Sequence, residues 1–347
     1  MTPRRVAILK PSALGDICHA LPVLSAFRDA WPAARITWVA NRGFAPLLEG
    51  HPDLTDVLPF DRAAYRGNPA RAVGYSFGLM NELRRRRFDL VVDLQGLMRT
   101  GLMAAATGAP VRVGFADARE GSRHAYTHPV VLRRGHDMHA VERYWAVAEA
   151  VGAGGGRKRF VVPLKEAELS AADALLAGLP RPWLAVAAGA RWVTKRWPAA
   201  SFVTLLNGTT PAFRPSVVLV GAGDDVELHR GLAAGLAGPV LDLTGRTTLP
   251  RLAAVLSRCD AMLANDTGPL HLAAALGVPC VAPYTCTQVR RHGPYPNLPG
   301  GVETQVPCAG SYFRQCPNGL VCFGELTPDR LRGPLERALT QRGKPPS

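Results

Sequence analysis

The stretch RVAILKPSALGDICHALPVL, residues 5 to 24, decides how the chain is read. Arg5 to Leu9 is a short apolar run rich in β-formers, Lys10 to Ala13 carries the proline and small residues of a turn, and an apolar segment of helical character follows from Leu14. A strand that passes through a short loop into a helix is the opening unit of a parallel α/β sheet. Asp16 follows Gly15 at the mouth of that helix. A carboxylate there can act as a cap, accepting backbone N–H groups and stabilising the helix start by ~1 kcal/mol.

The same alternation continues along the chain. RITWVA (35–40), DLVVDLQ (89–95) and RVGF (112–115) repeat it in the first half, and WLAVAAG (183–189), SVVLVGAG (216–223), AMLAND (261–266) and VPCVAPY (278–284) in the second. A chain of 347 residues suits two domains of ~100–200 residues each. Two doubly wound α/β domains are expected, over 1–160 and 161–347, with the last helix a candidate to pack back on the first domain. GAGGGRKRFVVPL (152–164), with its run of small residues and its proline, is the linker. Open parallel sheets bind ligands at the carboxyl ends of their strands, so both domains should turn their strand-end loops toward one shared cleft.

Composition narrows the function. With 47% hydrophobic residues the chain can bury a sizeable interior. Its longest apolar run, LAAALGVPCVAP (272–283), is broken by Gly277 and Pro279 and falls short of the ~18 residues that span a bilayer. Val6 to Leu9 is too short for a signal-peptide core, so a cytoplasmic location is expected. Seven cysteines, an odd number, point to reduced thiols. Cys308, Cys316 and Cys322 cluster without a C-x-x-C pair and read as free or packed thiols, with a structural metal on these three and one outside ligand as the alternative.

The net charge of +14 is unevenly placed: residues 1–165 hold 24 Lys and Arg against 14 Asp and Glu, and residues 166–347 hold 17 against 13. An anionic partner of the first half follows, whether nucleic acid, a membrane surface or an acidic acceptor. Arg84 to Arg87 read as a solvated helix end that complements the helix dipole. Aromatics at 7% and dispersed arginines argue against a nucleic-acid module.

Five loops sit where a strand runs into a helix: KPSALGD (10–16), QGLMRTG (95–101), GARWVTKRWP (189–198), GAGDDVE (221–227) and NDTGPLH (265–271). In the third, Lys195 and Arg196 place two cations just ahead of a helix opened by Pro198, and Thr194 adds a hydroxyl. Cations are unfavourable at a helix N-terminus unless an anion joins them, and phosphate is the obvious anion. The fourth fails the G-x-G-x-x-G fingerprint because Val226 stands where the third glycine belongs, which excludes NAD; Asp224 or Asp225 could instead accept ribose hydroxyls. In the fifth, Asp266 or Thr267 should cap, Gly268 bend and Pro269 open the helix, and His271 is left without a structural reason. No H-E-x-x-H or D-x-D pattern appears, so neither metal nor cofactor is expected.

KPSALGDICHALPVL, VVDLQGLMRTG, GARWVTKRWP, LVGAGDD and NDTGPLHLAAALGVPCVAPY, in this order, together resemble the bacterial heptosyltransferases of glycosyltransferase family nine. VVDLQGLMRTG and DARE (117–120) resemble in particular the branch that adds the first heptose to the Kdo sugars of lipopolysaccharide, whereas CAGSYFRQCPNGLVC resembles the cysteine-rich tails of more distant members. The resemblance implies a GT-B architecture, two Rossmann-like domains facing a cleft, with acceptor on the first and nucleotide-sugar on the second. It implies inverting, metal-independent transfer from ADP-heptose to an anionic Kdo-lipid A type acceptor, in peripheral contact with the inner membrane. By position, Asp16 matches the general base, and Lys195 the phosphate-binding lysine, with Thr194 beside it. Asp225 matches the ribose-binding acid, and Asp266, Thr267, Gly268 and His271 the sugar and diphosphate loop. Arg99 and Arg119 match acceptor-binding residues, and Gln95 is placed with them. Another nucleotide-sugar with a surface-glycan acceptor, or a basic nucleic-acid-binding protein, are the competing readings.

Overall fold

The computed structural model describes residues 2–135 and 137–341; residues 342–347, at the end of the second expected domain, lie outside the described residues. The chain divides into two compact units, Met1–Pro163 and Leu164–Ser347.

In the first unit, β1 (Arg5–Leu9), β2 (Arg35–Asn41), β3 (Asp56–Phe60), β4 (Leu90–Asp93), β5 (Val111–Phe115) and β6 (His128–Val130) form one parallel sheet in the order β3-β2-β1-β4-β5-β6. Helices on both faces cover such a sheet, so the central strands are apolar throughout: Val6 to Leu9, Val91 and Val92 are fully buried. The helix Leu14–Ala30 is buried from Leu14 to Ile17 except at Asp16, and from Ile17 through to Phe27, and packs on the helix Ala140–Ala150.

The second unit repeats the plan. β7 (Trp183–Ala187), β8 (Ser216–Leu219), β9 (Val240–Asp242), β10 (Ala261–Ala264), β11 (Cys280–Tyr284) and β12 (Gly301–Glu303) run in the order β12-β11-β10-β7-β8-β9, which is the first unit's order read from the other edge. Trp197, fully buried beneath this sheet, stacks edge-on against Phe202 and donates its indole N–H to the carbonyl of Leu326 at 2.8 Å. The last helix, Pro328–Thr340, packs on the helix Ala199–Asn207 and on β10 and β11 of its own unit.

The strands that the sequence reading does not recover are β3, β6, β9 and β12, and all four are sheet edges. Two of them contain a proline, Pro59 and Pro129, which an edge tolerates because one side of the strand needs no ladder N–H. The run Arg84 to Arg87 divides in its role. Arg84 and Arg85 end the helix Pro69–Arg85 in solvent, while half-buried Arg86 bonds Glu82 at 2.8 Å and also Asp56, so it ties the helix to the edge of the sheet.

The strand order reverses between β1 and β4 in one unit and between β7 and β10 in the other, so loops after these strands diverge and leave a crevice at each switch point. On β5, Gly114 gives Tyr126 room to cross: a Cβ there would lie 2.4 Å from the Tyr126 ring, whose hydroxyl bonds buried Asp93 at 2.8 Å. Gly114→Ala is expected to destabilise the protein by roughly 1–3 kcal/mol through overpacking. A urea midpoint equal to that of the wild type would show that Tyr126 moves aside without cost.

Candidate active site

In the first unit the loop after β1 and the start of the next helix bring three polar side chains together. Asp16 accepts the backbone N–H of Ala13 at 3.1 Å through Oδ2 and the Tyr144 hydroxyl at 2.9 Å through Oδ1, and Lys10 Nζ lies 3.7 Å from Oδ1. Lys10 is buried and also sits 4.9 Å above the Tyr144 ring. Burial lowers the Lys10 pKa, against the opposing pull of Asp16 and Asp93. Burial, then the Asp16 charge, raises Tyr144 well above the ordinary phenol range, so its hydroxyl keeps its proton and donates. The Asp16 side chain remains 41% exposed. It therefore closes the first turn of the helix while part of its carboxylate stays open to solvent.

The loops bearing Arg99 and Arg119 are built on Asp93, buried at the end of β4. Its carboxylate accepts the N–H groups of Gln95 (2.8 Å) and Gly96 (3.0 Å) and the Tyr126 hydroxyl, while burial raises its pKa. The Arg119 N–H then bonds the Gly96 carbonyl at 3.0 Å, and Gly101 lets Ser122 approach so closely that a Cβ would meet it at 2.8 Å. The two arginine loops are thus joined side by side. Both arginines are exposed, and the Arg99 guanidinium rests 5.4 Å above the Phe60 ring. Gln95 turns inward, and its buried Oε1 has no hydrogen-bond partner among the described residues.

In the second unit Asp266 is the hub. Its Oδ2 accepts Lys195 Nζ at 2.6 Å and the Thr287 hydroxyl at 2.7 Å, and its Oδ1 bonds His271 Nε2 at 3.1 Å. Burial works against the carboxylate charge, but the His271 hydrogen bond and the Lys195 charge outweigh it and hold the group well below the usual range. Asp266 is consequently not a helix cap. Thr267 occupies the N-cap position of the helix Gly268–Ala275, yet its hydroxyl bonds the Asn265 carbonyl at 3.2 Å, and the first N–H groups of that helix have no side-chain cap.

Asp225 accepts the Ala222 N–H at 3.0 Å, and Gly189 passes directly beneath it: a Cβ on Gly189 would sit 2.0 Å from Asp225 Oδ1. The loop that carries Lys195 therefore abuts Asp225 at its start and Asp266 at its end. Thr194 faces elsewhere, its hydroxyl donating to the Phe313 carbonyl at 2.7 Å and receiving Cys286 Sγ at 3.4 Å. Cys286, Cys308, Cys316 and Cys322 line one small cavity there, and among the described residues no three His, Cys, Asp or Glu side chains are spaced to hold a metal.

The structure thus joins Lys195, Asp266 and His271 directly, sets Thr267 and Gly268 at the adjoining helix start, and brings Asp225 against the same loop. Tyr144, Lys10, Thr287 and Asn265 were not found from the sequence. Asn265 is fully buried and accepts the Trp197 N–H at 3.2 Å. Tyr144 lies 128 positions from Asp16, and nothing local marks it. Lys10 did carry a signal, a lysine ending an otherwise apolar strand.

Two six-stranded parallel sheets of this order are the two Rossmann-like units of the GT-B fold. The fold matches a family 9 glycosyltransferase from Veillonella parvula (TM-score 0.83, 21% identity, 97% of each chain) and Escherichia coli heptosyltransferase WaaC with ADP (TM-score 0.71, 25% identity, 96% of this chain and 99% of that one). The profile of glycosyltransferase family 9 (heptosyltransferase) matches residues 77–321, and the chain belongs to that family. Lipopolysaccharide heptosyltransferase 1 of Pseudomonas aeruginosa is 29% identical over 96% of this chain and 98% of its own length. Lipopolysaccharide core heptosyltransferase OpsX of Haemophilus influenzae is 23% identical over 90% and 87%.

The site also sets a pH dependence. His292 is lowered to about 4 by burial, with Asp266 opposing and Lys195 reinforcing the shift. A depressed histidine pKa means that the unfolded chain binds the proton first, so stability is full above about 6.5 and is lost as pH falls toward about 4. His51 and His229, also lowered by burial, act in the same direction, and Asp266 does so at lower pH. The thermal midpoint should decline from pH 6.5 to 4, and less steeply in His292→Asn. Equal slopes for variant and wild type would remove His292 from this account.

Proposed function

We propose that this family 9 glycosyltransferase moves a heptose from ADP-heptose to a Kdo-bearing lipopolysaccharide inner-core acceptor, with inversion and without a metal. The observation that carries the reading is the pairing of Lys195 with Asp266 at 2.6 Å beside the uncapped start of Gly268–Ala275, which sets a cation and free N–H donors next to one another as a diphosphate requires. The relatives are named lipopolysaccharide heptosyltransferases, and the similar WaaC structure holds ADP, which supports the same donor here.

In this reading the acceptor hydroxyl oxygen attacks the anomeric carbon as the bond to the diphosphate oxygen breaks. Asp16 takes the hydroxyl proton, a late transfer that a modest base can perform because the hydroxyl acidifies as the new bond forms. The departing ADP carries the negative charge, which Lys195 and the helix N–H groups of the Gly268 loop stabilise, with Thr267 and His271 shaping the sugar and diphosphate site. Asp225 accepts ribose hydroxyls. Arg99 and Arg119 grip acceptor carboxylates, and Gln95 belongs to the loop that carries Arg99. Thr194 serves this site through its place in the Lys195 loop rather than its hydroxyl. The lipid-borne acceptor implies work at the cytoplasmic face of the inner membrane, and no helix among the described residues is long and apolar enough to cross it.

Asp16→Asn should lower turnover by ~10² or more and leave the ADP dissociation constant unchanged, since shape is kept and the proton acceptor is lost. Wild-type turnover in that variant would reduce Asp16 to a helix cap. Lys195→Ala should weaken ADP binding and also lower the melting temperature, because it strands the buried Asp266 carboxylate. Mass spectrometry of products formed from a panel of nucleotide-sugars and Kdo-lipid acceptors, with EDTA in excess, tests the donor, the acceptor and metal independence together. A product that forms only after magnesium is restored, or only from another donor, would overturn the corresponding part.

A further inference from the structure

The helix Pro69–Arg85 leaves one of its faces uncovered. Leu79 and Leu83 are buried on its inner side, while Val73 and Phe77, one helical turn apart on the opposite side, are 70% and 75% exposed. Gly74 and Gly78 lie beside them, and a Cβ at either position would meet nothing within 4 Å, so the face is low and Phe77 stands clear of it. The helix Met98–Ala106 packs against this one and exposes a second such pair, Met98 and Leu102, each at 56%. Single exposed apolar residues are ordinary, but two pairs on neighbouring helices mark a contact surface.

The charges along this stretch are mainly positive. Between residues 62 and 81 the chain has Arg62, Arg66 and Arg71 and no Asp or Glu, and all three arginines are exposed without an ion-pair partner among the described residues.

We propose that this face docks on an anionic phospholipid surface, with Phe77 and Val73 entering the boundary between headgroups and acyl chains and Arg62, Arg66 and Arg71 meeting the lipid phosphates. An apolar ridge along a helix, flanked mainly by cations, is what a helix lying in the plane of such a surface presents. A second copy of this chain fits less well, because it would bring the exposed Arg62, Arg66 and Arg71 of both copies together. The inference rests on the reading of a lipid-borne acceptor and identifies the surface that meets the lipid.

The test is co-sedimentation with phosphatidylethanolamine vesicles with and without phosphatidylglycerol, for the wild type and for the Val73→Glu, Phe77→Glu double variant. Both side chains are exposed, so the melting temperature should be unchanged. Wild type should bind the phosphatidylglycerol vesicles, more weakly as salt rises, and the variant should lose about tenfold or more in partition. Transfer to vesicle-borne acceptor should fall in the variant, and transfer to the same acceptor stripped of acyl chains should not. Equal vesicle binding by variant and wild type, or no binding by wild type, overturns the proposal. So does a wild-type dimer, seen by sedimentation velocity, that the variant splits. If wild type fails to transfer heptose even to the stripped acceptor, the functional reading is what fails, and the vesicle binding still decides the surface.

Discussion

Charge buried where each sheet changes strand order is the constraint around which the rest of the molecule is arranged. Asp93 ends β4 and Asp266 lies two residues past β10, each beside the strand-order reversal of its sheet. A carboxylate in such a place is costly unless donors surround it, and the donors come from the loops that then form the site. The two solutions differ. Asp93 receives backbone N–H groups and a tyrosine hydroxyl, with burial raising its pKa, and the result is a rigid loop. Asp266 receives a lysine, a histidine and a threonine and is held firmly as an anion, and the result is a lysine fixed at a helix start.

Asp16 shows how one carboxylate can close a helix start and stay partly open to solvent. Its Oδ2 closes the first turn of its helix, and its Oδ1 faces Tyr144 and Lys10. Ala13, Tyr144 and Lys10 each bring it a donor or a cation, the surroundings that suit a carboxylate anion. The helix start is therefore where a fixed and partly open carboxylate can be had with little extra machinery.

What was legible in the sequence follows from what is local. The eight central strands are short runs apolar on both faces, and a run of that kind is visible without knowing its neighbours. The edge strands β3, β6, β9 and β12 are half covered, three to five residues long, and in two cases interrupted by proline, so no such run exists to read. The site divides in the same way. Lys195, Asp266 and His271 stand in loops whose cations and histidine had no local justification, and that mismatch pointed to them. Tyr144 and Thr287 look like ordinary helix and loop residues, and only the fold brings them to Asp16 and Asp266. Asp266 was also read as a cap candidate, because cap chemistry and ion-pair chemistry use the same residue type and only the coordinates separate them.

The Thr194 hydroxyl, bonded to the Phe313 carbonyl, fastens the cysteine-rich segment to the residue immediately before Lys195. The two are consequently one mechanical element. Cys308 and Cys316, both half-buried, line the small cavity that Thr194 and Phe313 also line. If ADP binds at Lys195 as proposed, a dye on either sulfur would sit one hydrogen bond away from the nucleotide site, outside the reacting groups, and could be read without any turnover.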